Sequence, residues 1–140
     1  MCIGGIKMFL DRLNDKEKEM FLDLAVYTAQ ANGVIEDTEK DLILQYCREM
    51  TVAFYDISKL HPLEEIIEVF SKTSKEKKRI VILEILGLCY TDGDFDTVEQ
   101  AFAKKFAQDI GLKDDIFELL ERDIKEYSII LGIITGHVLN

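Results

Sequence analysis

Apolar residues recur along most of the chain at steps of three and four, the spacing that gathers them on one face of an α-helix. Met20, Leu24, Tyr27 and Ala31 make one such stripe, and Leu42, Tyr46 and Met50 make the next. Leu63, Ile66, Ile67 and Phe70 mark a short amphipathic helix that Pro62 is suited to start. Thr73-Ser74-Lys75-Glu76 has the spelling of a capping box, and the apolar helix predicted after it runs to about Tyr90. Phe102, Phe106 and Ile110 stripe another segment, which Gly111 can close as a left-handed cap. Ile116, Leu119, Leu120, Ile124 and Tyr127 open the last helix. The β-branched run Ile129–Ile134 has strand propensity, but no partner strand is evident, so it too is predicted as helix. The pattern predicts an all-α, single-domain bundle over residues 1–140, with about seven helices and short connections.

One feature repeats. Asn32-Gly33-Val34-Ile35-Glu36-Asp37-Thr38-Glu39 aligns with Asp92-Gly93-Asp94-Phe95-Asp96-Thr97-Val98-Glu99. Both copies read Asx-Gly, any residue, a large apolar residue, an acid, two residues, then Glu. Each follows an apolar helix and precedes an amphipathic one. The chain therefore predicts two pseudo-repeated helix-turn-helix units, about 18–50 and 78–111.

Charge and cysteine usage narrow the function. Asp and Glu number 27 against 17 Lys and Arg, a formal net charge of −10. Such a surface repels phosphate backbones, so no nucleic-acid partner is expected. The exception is Lys72–Arg79, where Lys72, Lys75, Lys77, Lys78 and Arg79 face a single acid, Glu76. It reads first as a solvated helix start and second as a dock for an anionic partner. Cys2, Cys47 and Cys89 are odd in number and widely spaced, which fits neither a disulfide framework nor a zinc site. Buried thiols and a reducing, cytoplasmic setting are expected. Ile129–Leu139 is too short to span a bilayer. If that helix is not packed in the bundle, its isoleucines need cover, from a protein partner or through homo-oligomerisation by the C-terminal helix.

The candidate chemistry lies at the repeated corners. Capping accounts for Gly33, Gly93, Asp96 and Glu99, since a left-handed turn favours glycine and Asp-x-x-Glu spells a capping box. It leaves Asp92 and Asp94 over. Four carboxylates within eight residues repel one another, and a hard divalent cation, Mg²⁺ or Ca²⁺, would relieve them. The candidate metal-ligating residues are Asp92, Asp94, Asp96 and Glu99, with Asn32, Glu36 and Glu39 as a weaker set in the first copy. An EF-hand is not expected: Asp92, Gly93, Phe95 and Glu99 match half of its loop, but Leu88 and Tyr90 stand where its first carboxylates belong. His61 and His137 read as surface or satisfied histidines. No phosphate loop, nucleophile elbow or His-Glu metalloprotease motif is present, so no catalytic residue is assigned.

The doubled motif resembles the TerB-like family, the tellurite-resistance-associated domain that is also related to the N-terminal part of a membrane-anchored DnaJ-type co-chaperone. The family signature is an alanine-rich helix, Ala-Asp-Gly, an apolar residue, and acids leading to a Glu. Ala29-Gln30-Ala31-Asn32-Gly33-Val34-Ile35-Glu36 with Glu39, and Leu88-Cys89-Tyr90-Thr91-Asp92-Gly93-Asp94-Phe95-Asp96 with Glu99, look like its two occurrences. The resemblance covers about residues 15 to 125. It implies an all-α fold of two similar halves and a cytoplasmic, non-enzymatic role in stress or metal-ion response. It also implies divalent-cation binding by Asn32, Glu36 and Glu39 and by Asp92, Asp96 and Glu99. This chain departs at Asn32, where the family has Asp, which removes one charge from the first site. The alternatives are a divalent-metal-dependent enzyme using the same carboxylates, and a purely structural repeat with its interaction surface elsewhere.

Overall fold

The computed structural model describes residues 9–33, 35, 37–53, 55–90 and 96–140. Among them are six α-helices and no strand: α1 (Asp15–Gln30), α2 (Asp37–Glu49), α3 (Leu63–Ser71), α4 (Lys75–Cys89), α5 (Thr97–Asp109) and α6 (Asp114–Leu139). A single 3₁₀ turn, Leu10–Arg12, precedes them. The described helices number six rather than about seven. The β-branched run Ile129–Ile134 is helical throughout, within α6.

The helix boundaries follow capping chemistry. Asn14 begins α1 with a reciprocal box: its side chain accepts from the Glu17 amide, while Glu17 accepts from the Asn14 amide, both at 2.8 Å. At α4 the predicted box is half present. Ser74 is the N-cap and accepts from the Lys77 amide, so Lys77, not an acid, occupies the third helical position. Pro62 stands just outside α3, as its N-cap residue. Gly33 (φ +94°) and Gly111 (φ +87°) adopt the left-handed conformation expected of them. A Cβ at Gly33 would meet nothing within 4 Å. Gly33→Val therefore costs stability through the backbone alone, by about 1–2 kcal/mol in urea denaturation, and an unchanged midpoint refutes the corner's conformational demand.

Helices α1 and α4 form the centre. Met20, Phe21, Leu22, Leu24, Ala25, Val26 and Ala29 of α1 are buried, as are Ile80, Val81, Ile82, Ile85, Leu86, Leu88 and Cys89 of α4. Such all-round burial marks a core helix rather than a surface one. The sequence repeat pairs these two helices, and each has its amphipathic successor, α2 or α5, packed against it. Helix α3 lies on α1, and α6 lies along α4. The Phe21 and Tyr46 rings meet edge to face at 5.2 Å, and Phe70 and Phe106 do so at 6.4 Å, tying the peripheral helices to the shared core.

Four of the five cations in Lys72–Arg79 lie against other groups of this chain. Lys72 pairs with Glu68 at 3.0 Å and Lys77 with Glu17 at 2.7 Å, while Arg79 and Lys75 flank a cleft of about 430 Å³ floored by Phe9, Ile80, Leu83 and Leu120. The run starts α4; its exposed Lys72–Glu68 pair adds little stability, whereas Lys77 reaches the buried Glu17.

Candidate functional site

The described residues of the two copies meet. Asn32, just past the end of α1, donates from its Nδ2 to Asp96 Oδ2 at 2.7 Å and to Glu99 Oε2 at 3.2 Å. Residues of the first copy thus hold residues of the second, 64 and 67 positions along the chain. Asp96 is the N-cap of α5 and accepts from the Val98 and Glu99 amides, both at 2.9 Å. The Glu99 amide first, then the Asn32 side chain, hold the Asp96 carboxyl below the usual aspartate range. Glu99 and Glu39 are buried in the first turns of α5 and α2, where helix dipoles favour their charge.

Cys89, at the end of α4, reports how these acids converge. Burial pushes its thiol well above the usual range, and the charges of Glu99, Asp96, Glu39 and Glu121 push it further. Carboxylates from α2, α5 and α6 therefore face the same end of α4. The thiol itself is buried and kept protonated, hence unreactive.

Of the sequence-predicted metal ligands, Asn32, Asp96 and Glu99 are brought into contact, and Glu39 lies at the same end of the bundle. Glu36, Asp92 and Asp94 lie outside the described residues. Among the described residues, no group of three or more His, Cys, Asp or Glu is arranged to hold a metal ion.

Two polar features escaped the sequence reading. Asp23, buried in α1, accepts from the Tyr55 hydroxyl at 2.6 Å, the His61 amide at 2.9 Å and His61 Nδ1 at 2.7 Å. The Tyr27 hydroxyl closes the clamp by donating to the His61 carbonyl at 2.8 Å. His61 Nε2 faces Glu19 at 3.7 Å, so both ring nitrogens sit beside carboxylates. The Asp23 hydrogen bond raises the His61 pKa, against some desolvation. This arrangement favours imidazolium and works as an ion-pair clamp on the α2–α3 connection, agreeing with the expectation of a satisfied histidine. Beside it, Glu19, Asp23, Met50, Thr51, Tyr55 and Lys59 are among the residues lining a cleft of about 490 Å³. Thr51 there has φ +58°, an uncommon conformation for a β-branched residue. The available sequence signal was Asp23 itself, an acid between Leu22 and Leu24 on a core helix.

The second feature is Glu84 in the middle of α4. It is wholly buried, and neither carboxyl oxygen has a hydrogen-bond partner among the described residues. Oε2 of Glu49, on α2, is buried and unpartnered too. Burial, then the Glu49 charge, raise the Glu84 pKa to about 9.

Comparison with known proteins adds no relative: no family model, curated protein or solved structure matches this chain. The functional reading rests on the residues themselves.

Proposed function

We propose that this chain is a non-enzymatic, TerB-like helical module whose paired corners respond to a divalent cation and present the result to a protein partner. The observation that carries the reading is the Asn32 bridge to Asp96 and Glu99. An amide N–H₂ there supplies the positive end of a dipole to two carboxylates at once.

The repeat maps Asn32 onto Asp92, and Asp96 with Glu99 onto Glu36 with Glu39. The reciprocal link would put a carboxylate, Asp92, in the role that an amide plays in the first copy. A carboxylate has no proton to donate at neutral pH, so that link needs another source of positive charge. Oxygen-only ligands of this kind suit Mg²⁺ or Ca²⁺. Asp92, Glu36 and Glu39 are the proposed ligands, with Asp94 contributing charge. The cation then does for one corner what Asn32 does for the other: it ties two helix starts together. Loss of the cation would loosen one half of the junction and leave the other intact, a two-state element of the kind a partner can read.

The test is a reciprocal exchange. Titration calorimetry and thermal melting with Ca²⁺, Mg²⁺ and Mn²⁺ should show binding to the unaltered protein and a rise in Tm. Asp92→Asn, which supplies an amide, should abolish both while the metal-free protein keeps its stability. Asn32→Asp should lower metal-free stability and increase the cation response. Absence of heat at millimolar metal, or an unchanged response in Asp92→Asn, refutes the cation reading.

A further inference from the structure

Helix α6 outruns the body of the bundle. Its 26 residues extend about 39 Å, against about 23 Å for the 15 residues of α4 beside it. The two run side by side in the same direction: Leu83 and Leu120 share a cleft, and Lys125 Nζ lies 6.0 Å from the Tyr90 ring at the end of α4. Beyond that point α6 has little left to pack on among the described residues. Leu131 and Thr135 are half-buried, whereas Ile129, Ile130, Ile133, Ile134, Val138 and Leu139 are 49–76% exposed. Side chains uncovered to this extent present roughly 600 Å² of aliphatic surface, at the upper limit for a patch on a monomer and close to the 800 Å² or so per partner of a stable interface.

We infer that this face is covered by a second copy of the chain, in an antiparallel α6–α6 pair about a twofold axis at Ile133. Three observations favour a copy over another occupant. The area is close to what a symmetric dimer needs. From Tyr127 to Asn140 no residue is Asp, Glu, Lys or Arg, so two chains of net charge −10 can touch here without placing charged side chains against each other. The patch can also be set against itself in register. An axis at Ile133 sets Ile130 of each copy against Gly136 of the other, and Ile129 against His137. A Cβ at Gly132 would meet nothing within 4 Å, and at Gly136 only the Asn140 side chain, at 3.9 Å. Glycine weakens a helix interior, and packing among the described residues does not require it at either position. A close crossing of two helices does. A C2 contact of this kind uses one patch twice and closes on itself. This inference is independent of the cation reading.

Sedimentation velocity of the full chain tests it. A species of twice the 16.1 kDa chain mass should appear in the micromolar range and should strengthen with added salt, because screening relieves repulsion between the acidic bodies. The double variant Ile130→Lys/Ile133→Lys should be monomeric with an unchanged helical circular dichroism signal. Gly136→Leu, a better helix former, should weaken association by about tenfold or more while leaving the helix intact, an effect that a purely intramolecular role would not produce. A chain that stays monomeric at about 200 µM, a dimer that survives the double lysine variant, or one that dissociates with salt overturns the inference. So does binding to phosphatidylcholine vesicles in place of self-association.

Discussion

Replacing Asp23 by alanine should lower the stability of the fold by about 3 kcal/mol, a loss of about 10 °C in Tm for a domain of this size. The carboxylate is buried and accepts three hydrogen bonds, two of them from His61. Hydrogen bonds to a charged group are each worth about 1.5–3 kcal/mol, and truncation leaves their donors behind. Part of the loss is recovered because His61 is partly exposed and can release its proton. The interaction also has a pH signature. With the His61 pKa raised in the folded state, the ion-pair stabilisation is fully present below the unfolded histidine value, about 6.5. It is lost as pH rises through the folded value. The difference between the unaltered protein and Asp23→Asn should therefore shrink from pH 6 to pH 9 in urea titrations. A difference that grows over that range refutes the imidazolium clamp. Because the clamp anchors the α2–α3 connection, Asp23→Ala should also raise amide exchange over residues 55–61 before it affects α4.

Glu84→Leu should act in the opposite direction and make the protein more stable at neutral pH. A carboxyl group buried without a hydrogen-bond partner is costly, and here the cost is reduced by retaining a proton. Its pKa rises from an ordinary 4.5 to about 9. Below about pH 4.5 the group is protonated whether the chain is folded or not, and it draws no stability away. As pH climbs toward 9 the unfolded chain ionises freely while the folded one holds its proton, so stability falls across that window. At pH 7 the accumulated penalty is about 3 kcal/mol. Glu84→Leu should recover most of it at pH 8 and little at pH 4, and should flatten the pH dependence that remains after the His61 contribution is subtracted. Equal effects at both pH values would show that burial of the carboxyl, not its titration, sets the cost. A destabilised variant at pH 8 would show that the carboxyl has a partner. The Glu49 carboxyl, partly satisfied by Gln45 Nε2 at 3.1 Å, stays in place in either case.

The helices were legible because their information is local. Periodicity of apolar residues, Asp96 as a cap, and Gly33 and Gly111 at positive φ each act within a few residues. The same locality explains the misreading at α4: Thr73-Ser74-Lys75-Glu76 spells a box, but a shift of one residue makes Ser74 the cap and puts Lys77 where an acid was expected. The α2–α3 connection was less legible: Tyr55 and His61 are held by Asp23 and Tyr27, side chains of α1 more than 30 positions earlier, and that anchorage has no periodic trace.

The amino-acid sequence by itself determined the all-α class, the left-handed turns at Gly33 and Gly111 and the uncharged apolar end of α6, because backbone conformation and amphipathic burial are governed by residues close in the chain. Tertiary structure alone decided that Asn32 reaches across to Asp96 and Glu99, that Asp23 closes on His61, and that Glu84 sits in the core without a hydrogen-bond partner among the described residues. Each of those is a meeting, or a failure to meet, of polar groups far apart in sequence. Its energy depends on distance and on the exclusion of water, and neither exists until the helices are packed.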